Sequence, residues 1–190
     1  VNKEINLGKY LKMSSTFEQL RKLEEILKKE GDSLGEDLNL FLHSERFAYD
    51  VTPYDVITFA STGMDGLHFG LLTDFGTVLD IENAFVVCVS PMDYGEHIKI
   101  VARNIMEFVG LICTMKSAVA ISNFIFFQEE ARYVDYLKEL KQQENDEYTE
   151  KANYIIANLM STIKCELIDD VYDYVERKVK TGNRNNAFRK

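Results

Sequence analysis

The stretch "FASTGMDGLHFGLL", Phe59 to Leu72, sets two glycines, an aspartate and a histidine between two apolar runs, and its reading decides the fold. As chemistry, Asp65 would serve as base or ligand with His68 as its partner, and the glycines would admit a substrate. As architecture, Gly63 and Gly66 permit the positive φ of a hairpin connection, with Asp65 bonding to nearby backbone amides. "GMDG" lacks the lysine and hydroxyl of a phosphate-binding loop and opens a strand where such a loop opens a helix. The expectation is a turn between two strands, with Gly63 and Gly66 structural.

Outward from it, "YDVITFA", "LHFGLLT" and "AFVVCVS" are short, aromatic and β-branched, bounded by "STGMDG", "DFGT" and "PMD". Connections this short hold no crossover helix, so the sheet is expected to be antiparallel. Upstream, "FEQLRKLEEILKKEG" has helical spacing, with Ser15 and Glu18 as a capping box and Gly31 as its stop. "DSLGEDLN" reads as a loop, and Asn39 to Tyr49 is ambiguous. Downstream, "HIKIVARNIMEFVGLICTM" places Ile98, Val101, Ala102, Ile105, Phe108, Val109 and Ile112 on one helical stripe. Everything after Ser117 reads as helical, with a break near "ENDEY" and a long helix from Tyr148 to Val179. There Ala152, Ile155, Ile156, Leu159, Ile163, Leu167, Val171 and Val175 repeat at three and four residues. Its stripe needs a partner, either the domain or a second copy of the chain in a homodimer. The expected class is α+β: an antiparallel sheet packed by helices, with an N-terminal helix and an additional C-terminal helical segment. The expected units are a domain over 1–145, an amphipathic helix over 146–180 and a basic flexible tail over 181–190.

The 190 residues carry 31 acids against 22 Lys and Arg, a formal net charge of −9. Five cations and no acids lie from Lys178 onward, leaving 17 cations against 31 acids, a net −14, over residues 1–177. This balance argues against a nucleic-acid partner, which needs clustered cations. Cys88, Cys113 and Cys165 lie far apart among apolar neighbours and read as buried free thiols. The richest apolar run, "VGLICTMKSAVAISNFIFF", is broken by Lys116 and falls short of the about 20 apolar residues of a membrane span. A cytoplasmic protein without membrane attachment is expected.

Catalytic sets are weak. Cys88 sits in an apolar strand that offers no cation to lower its pKa, and Ser61 and Ser90 lack a glycine-flanked elbow. Of the histidines, His43, His68 and His97, no two stand at helical ligand spacing, and only Asp65, His68, Asp93 and His97 would make a converging set, for zinc or for a small enzyme. No metal and no cofactor are expected. Arg103 interrupts the apolar stripe and is expected to pair with Asp65 or Glu107, tying helix to sheet. The acids Asp55, Asp65, Asp74, Asp80, Glu82, Asp93 and Glu96 lie in or beside strand turns, where they would cluster at the sheet's ends and meet a basic partner.

"TPYDVITFASTGMDGLHFGLLTDFG" followed by "VSPMDYGEHIKIVARNIMEFVGL" resembles the SUKH superfamily, which includes bacterial toxin-immunity proteins and fungal regulators of cell-wall synthesis. The similarity lies in a strand ending in "FA", the glycine-and-acid turn, a strand with "HFG" and the "VARNIMEFVGL" helix, over about Thr52 to Leu111. It implies a twisted antiparallel sheet in an α+β domain that binds a protein and catalyses nothing. On this reading the chain is an immunity-type inhibitor occluding a basic, nuclease-like toxin. Asp65, His68, Asp74, Asp80, Glu82, Asp93 and Glu96 face the partner. The alternatives are the small enzyme or ligand-binding domain above, and a regulatory interaction protein of the cell-wall type.

Overall fold

A computed structural model describes residues 14–45, 47–123, 128–142 and 147–179. Helix α1 (Ser15–Glu30) and the short α2 (Leu34–Leu38) precede a five-stranded sheet: β1 (Phe41–Leu42), β2 (Val56–Ser61), β3 (His68–Leu72), β4 (Val86–Val89) and β5 (Ile98–Ala102). The strands run antiparallel in the order β1-β2-β3-β4-β5. Among the described residues there follow α3 (Ile105–Met115), α4 (Ala118–Ser122), α5 (Glu130–Gln142) and α6 (Glu147–Ile163), before a short α7 (Val171–Asp173) that runs into a π-helical turn, Tyr174–Val179. The α+β class is as expected.

Strand alternation divides the sheet into two unlike faces. Ile57, Phe59, Phe69, Leu71, Val86 and Cys88 join the main core beneath the helices. Phe108 of α3 sits at its centre, with its ring centroid 5.6 Å from that of Phe59 and 4.7 Å from that of Phe69. The other face holds a small cluster, Val56, Val87 and Val89, packed by Val51. A strap, residues 47–55, covers it. Thr58 pins the strap at one point, accepting from the Phe47 amide at 3.2 Å and donating to the Phe47 carbonyl at 2.6 Å.

Four local expectations are corrected. Ile98–Ala102 is a strand and not the start of a helix, because β4 offers an open edge and the helix nucleates later, where the Asn104 side chain accepts from the Glu107 amide at 2.8 Å. The α1 cap is Ser14, whose hydroxyl accepts from the Phe17 amide at 3.0 Å. Glu18 is turned to Arg21 and completes no capping box. "DSLGEDLN" contains α2, whose cap Ser33 and Leu34 amide are both held by the Glu24 carboxylate, at 2.9 and 2.7 Å.

The long C-terminal helix is interrupted. It ends at Ile163, Lys164 turns left-handed at φ 57°, and the chain crosses α3 before α7 begins. Gly110 makes the crossing feasible: a Cβ there would stand 2.3 Å from the Glu166 carbonyl. Thr114 accepts from the Ile168 amide at 2.9 Å. Leu167 is consequently 47% exposed, whereas Ala152, Ile155, Ile156, Leu159, Ile163, Val171 and Val175 are buried. Helix α6 packs against α1, α2 and α3, and Lys151 on α6 reaches Asp32 at 3.0 Å and Asp37 at 3.1 Å.

The crossing also brings two thiols together. Cys113 of α3 and Cys165 are neighbours, and the second thiol together with burial pushes the Cys113 thiol up. The "ENDEY" break, in part, and the basic tail over 181–190 lie outside the described residues. No helix among the described residues is long and apolar enough to cross a membrane.

Candidate functional site

The antiparallel order sends the β2–β3 turn (62–67) and the β4–β5 turn (90–97) to one end of the sheet. The β3–β4 connection (73–85), the entry to β2 and the start of α3 lie at the other. The expected acidic set is therefore split. Asp65, Asp93 and Glu96 share the first end, and Asp55, Asp74, Asp80 and Glu82 share the second.

At the first end the β2–β3 turn is closed by the Thr62 amide to the Leu67 carbonyl at 3.1 Å and the Leu67 amide to the Met64 carbonyl at 2.9 Å. Gly63, Asp65 and Gly66 take positive φ, 75°, 50° and 70°. Both glycines are required twice over, since a Cβ would stand 2.6 Å from the Phe41 ring at Gly63 and 3.0 Å from Tyr49 at Gly66. The hydroxyl that braces this turn belongs to Thr62, which accepts from the Met64 amide at 3.3 Å. Asp65 tolerates the left-handed backbone and leaves its side chain exposed.

Beside this turn lies a groove of about 650 Å³ whose lining includes Met64, Asp65, Met92, Asp93, Tyr94 and Glu96. Tyr94 is 88% exposed, Met92 63% and Met64 52%. Lys99 approaches Asp93 at 3.9 Å and Glu96 at 3.6 Å.

His68 does not face this groove, which corrects its expected partner-facing role. It is fully buried on the strap side of β3. Its Nδ1–H donates to the Gly66 carbonyl at 2.7 Å, which leaves Nε2 to accept from the Thr52 hydroxyl at 3.0 Å. Thr52 in turn accepts from the Tyr49 amide at 2.9 Å. The imidazole lies between Phe47 and Tyr49, at centroid distances of 5.0 and 5.5 Å. Burial holds its pKa below the ordinary histidine value; the Gly66 carbonyl opposes this and His43 adds to it. The sequence had placed a polar residue there, and register turned it inward.

The set Asp65, His68, Asp93 and His97 does not converge. Both His68 nitrogens are engaged, one by Gly66 of the turn and the other by Thr52 of the strap, and His97 Nδ1 lies 3.0 Å from the Ser90 carbonyl. Among the described residues no group of three His, Cys, Asp or Glu side chains is placed to hold a metal ion. Cys88 is buried, and burial pushes its thiol up to about 12, far from the thiolate that nucleophilic attack needs.

At the second end Glu82 turns inward, again correcting a partner-facing role. It accepts from the Thr16 amide at 3.2 Å and so supplements the α1 cap. Burial alone would raise its carboxyl, but hydrogen bonds from Thr16, Ser14 and Ser15 hold it below the usual carboxylate value. Arg103 pairs with Glu107 through Nε at 2.9 Å and Nη2 at 2.5 Å, one of the two expected partners, while Asp65 lies at the opposite end. The Tyr174 hydroxyl donates to Glu107, and the Arg103 amide donates to the Tyr174 oxygen at 3.1 Å. Burial would raise the Glu107 carboxyl, yet the Arg103 and Tyr174 bonds hold it low. A second cavity of about 650 Å³ lies here, but Arg103, Glu107 and Tyr174 on its wall satisfy one another. That cluster is a joint between α3 and the C-terminal segment.

One signal in the sequence went unused. Phe47 to Ile98 contains eight acids and no Lys or Arg, so the strap and the turns at both ends carry unbroken negative charge. Comparison of the chain with protein-family models, curated proteins and solved structures gives no match.

Proposed function

We propose that this chain is a non-enzymatic protein-binding module, an immunity-type inhibitor that neutralises a basic toxin by occluding it at the first end of the sheet. The groove there supports the reading. Tyr94, Met92 and Met64 are exposed around a concavity, and Asp65, Asp93 and Glu96 stand beside them. Exposed tyrosine and methionine are the side chains that anchor interfaces, while acids around them steer a cationic partner and reject anionic ones. The cation-free run from Phe47 to Ile98 extends that field over both ends. The resemblance to the SUKH superfamily points to the same class.

The test is protection. Where a neighbouring gene encodes a basic toxin, cells expressing that toxin are expected to grow when the chain is co-expressed, and to stop growing when it carries Tyr94→Ala with Asp93→Lys. Equal protection by that variant, with its fold intact by circular dichroism, counts against the groove. No protection by the wild-type chain counts against the inhibitor reading.

A further inference from the structure

We propose that the second end of the sheet carries a separate docking surface, in which Phe75 and Leu79, with Tyr54 beside them, pack against an apolar face with a cationic rim on a partner protein. The surface is independent of the groove and lies at the opposite end of the strands.

The backbone supplies the first reason. Asp74, Phe75 and Gly76 take three consecutive positive φ values, 47°, 53° and 86°. Aspartate and glycine tolerate this conformation, whereas a bulky aromatic residue there is strained. The strain gains nothing in packing, because Phe75 is 83% exposed and Leu79 96%. A polar residue at either position would cost the fold less.

The second reason is that the tip is held in shape. The amides of Gly76 and Val78 both donate to the Thr73 carbonyl, at 3.0 and 3.2 Å, and the Thr77 hydroxyl donates to the Asp74 carbonyl at 2.8 Å and its carboxylate at 2.9 Å. Thr73 is itself tied to the Asp55 carbonyl through its amide at 2.9 Å and its hydroxyl at 2.8 Å. Tyr54, 86% exposed, is therefore anchored beside the same tip. Three large apolar side chains are presented on a braced support, which lowers the ordering cost of binding.

Charge selects the occupant. Asp55, Asp74 and Asp80 adjoin Tyr54, Phe75 and Leu79 in the chain, and the run from Phe47 to Ile98 contains no Lys or Arg. An anionic lipid surface or a nucleic acid would be repelled. A second copy meeting this tip with its own tip would bring Asp55, Asp74 and Asp80 against the same acids. A protein's apolar face with lysine or arginine at its rim complements both the apolar and the charged parts.

The test has a ligand-free arm and a ligand arm. Phe75→Asn and Leu79→Ser are expected to melt at or above the wild-type temperature, because strain or exposed apolar surface is relieved; a lower Tm would make the tip a structural element and overturn the proposal. Phe75→Trp adds a fluorophore to a chain that has no tryptophan. The probe is an amphipathic helical peptide of lysine and leucine. Its addition is expected to give a saturable blue shift, with an affinity roughly tenfold weaker when Leu79→Ser is also present and unchanged when Tyr94→Ala is present. Three results would overturn the proposal: no shift, an equal shift with a glutamate and leucine peptide or phosphatidylserine vesicles, or loss of the shift with Tyr94→Ala.

Discussion

The two ends of the sheet are alike in charge and opposite in construction. At the first, apolar side chains stand around a concavity, and the polar residue expected to face the partner, His68, lies on β3 buried beneath the strap. At the second, apolar side chains project from a left-handed tip, and the acid expected to face the partner, Glu82, is drawn back to cap α1. Residue type did not decide which side chains became surface. On β3 strand register did: His68 and Leu72 point to the strap, Phe69 and Leu71 to the helices. At Glu82, in a 3₁₀ turn, the bond to the α1 amide did.

The sharpest way to break this contrast is to truncate one aromatic residue at each end. His68→Ala removes a ring packed between Phe47 and Tyr49 and leaves Thr52 and the Gly66 carbonyl without their partner. It is expected to cost about 2–4 kcal/mol in urea unfolding. Phe75→Ala should leave stability within about 0.5 kcal/mol of wild type. Comparable losses at both positions would erase the difference between the ends.

Next in size is the α1 cap. Glu82→Ala is expected to cost about 1 kcal/mol by the same assay, since Ser14 still satisfies the Phe17 amide. No loss would mean that the contact between the β3–β4 connection and α1 contributes nothing.

A pH series separates the two polar devices. Because burial lowers the His68 pKa in the folded state, the unfolded chain binds the proton more readily. Stability is complete above the ordinary histidine value of about 6.5 and falls as the pH drops toward the lowered folded value. His43, also lowered by burial, acts with the same sign. Glu82 and Glu107 have lowered carboxyl values, so their contribution is present above the ordinary carboxylate value of about 4.3 and lost below it. Unfolding at pH 7.5 and 5.5 should show a loss that shrinks in a His43→Gln, His68→Gln variant; an undiminished loss would exclude the histidines as its source. Smallest of all, Tyr94→Ser should move stability by no more than about 0.5 kcal/mol, and a larger loss would place Tyr94 in the fold and not on the binding surface.

The β2–β3 hairpin was legible because glycines and alternation agree on one local structure. Strand β5 was not, because Ile98, Val101 and Ala102 continue the helical spacing of α3, and pairing with β4 overrides that pattern. The break at Lys164 was hidden for a similar reason: Leu167 keeps the three-and-four rhythm, while the crossing depends on Gly110 and Thr114 of α3, far away in the chain. At the candidate site, Asp65, Asp93 and Glu96 followed from their place in turns. The burial of His68 did not, because the strap that covers it is irregular chain. "DFGT" announced a turn without announcing that Phe75 would stand outside it.

On the function we propose, a cationic protein binds the first end of the sheet. Tagged wild-type chain and its Tyr94→Ala, Asp93→Lys variant, each purified from host extract at low salt with quantitative mass spectrometry, test it directly. One basic protein in stoichiometric amount is expected with the wild type, released by added salt and lost with the variant. Recovery of no basic protein, or equal recovery with both chains, would contradict it.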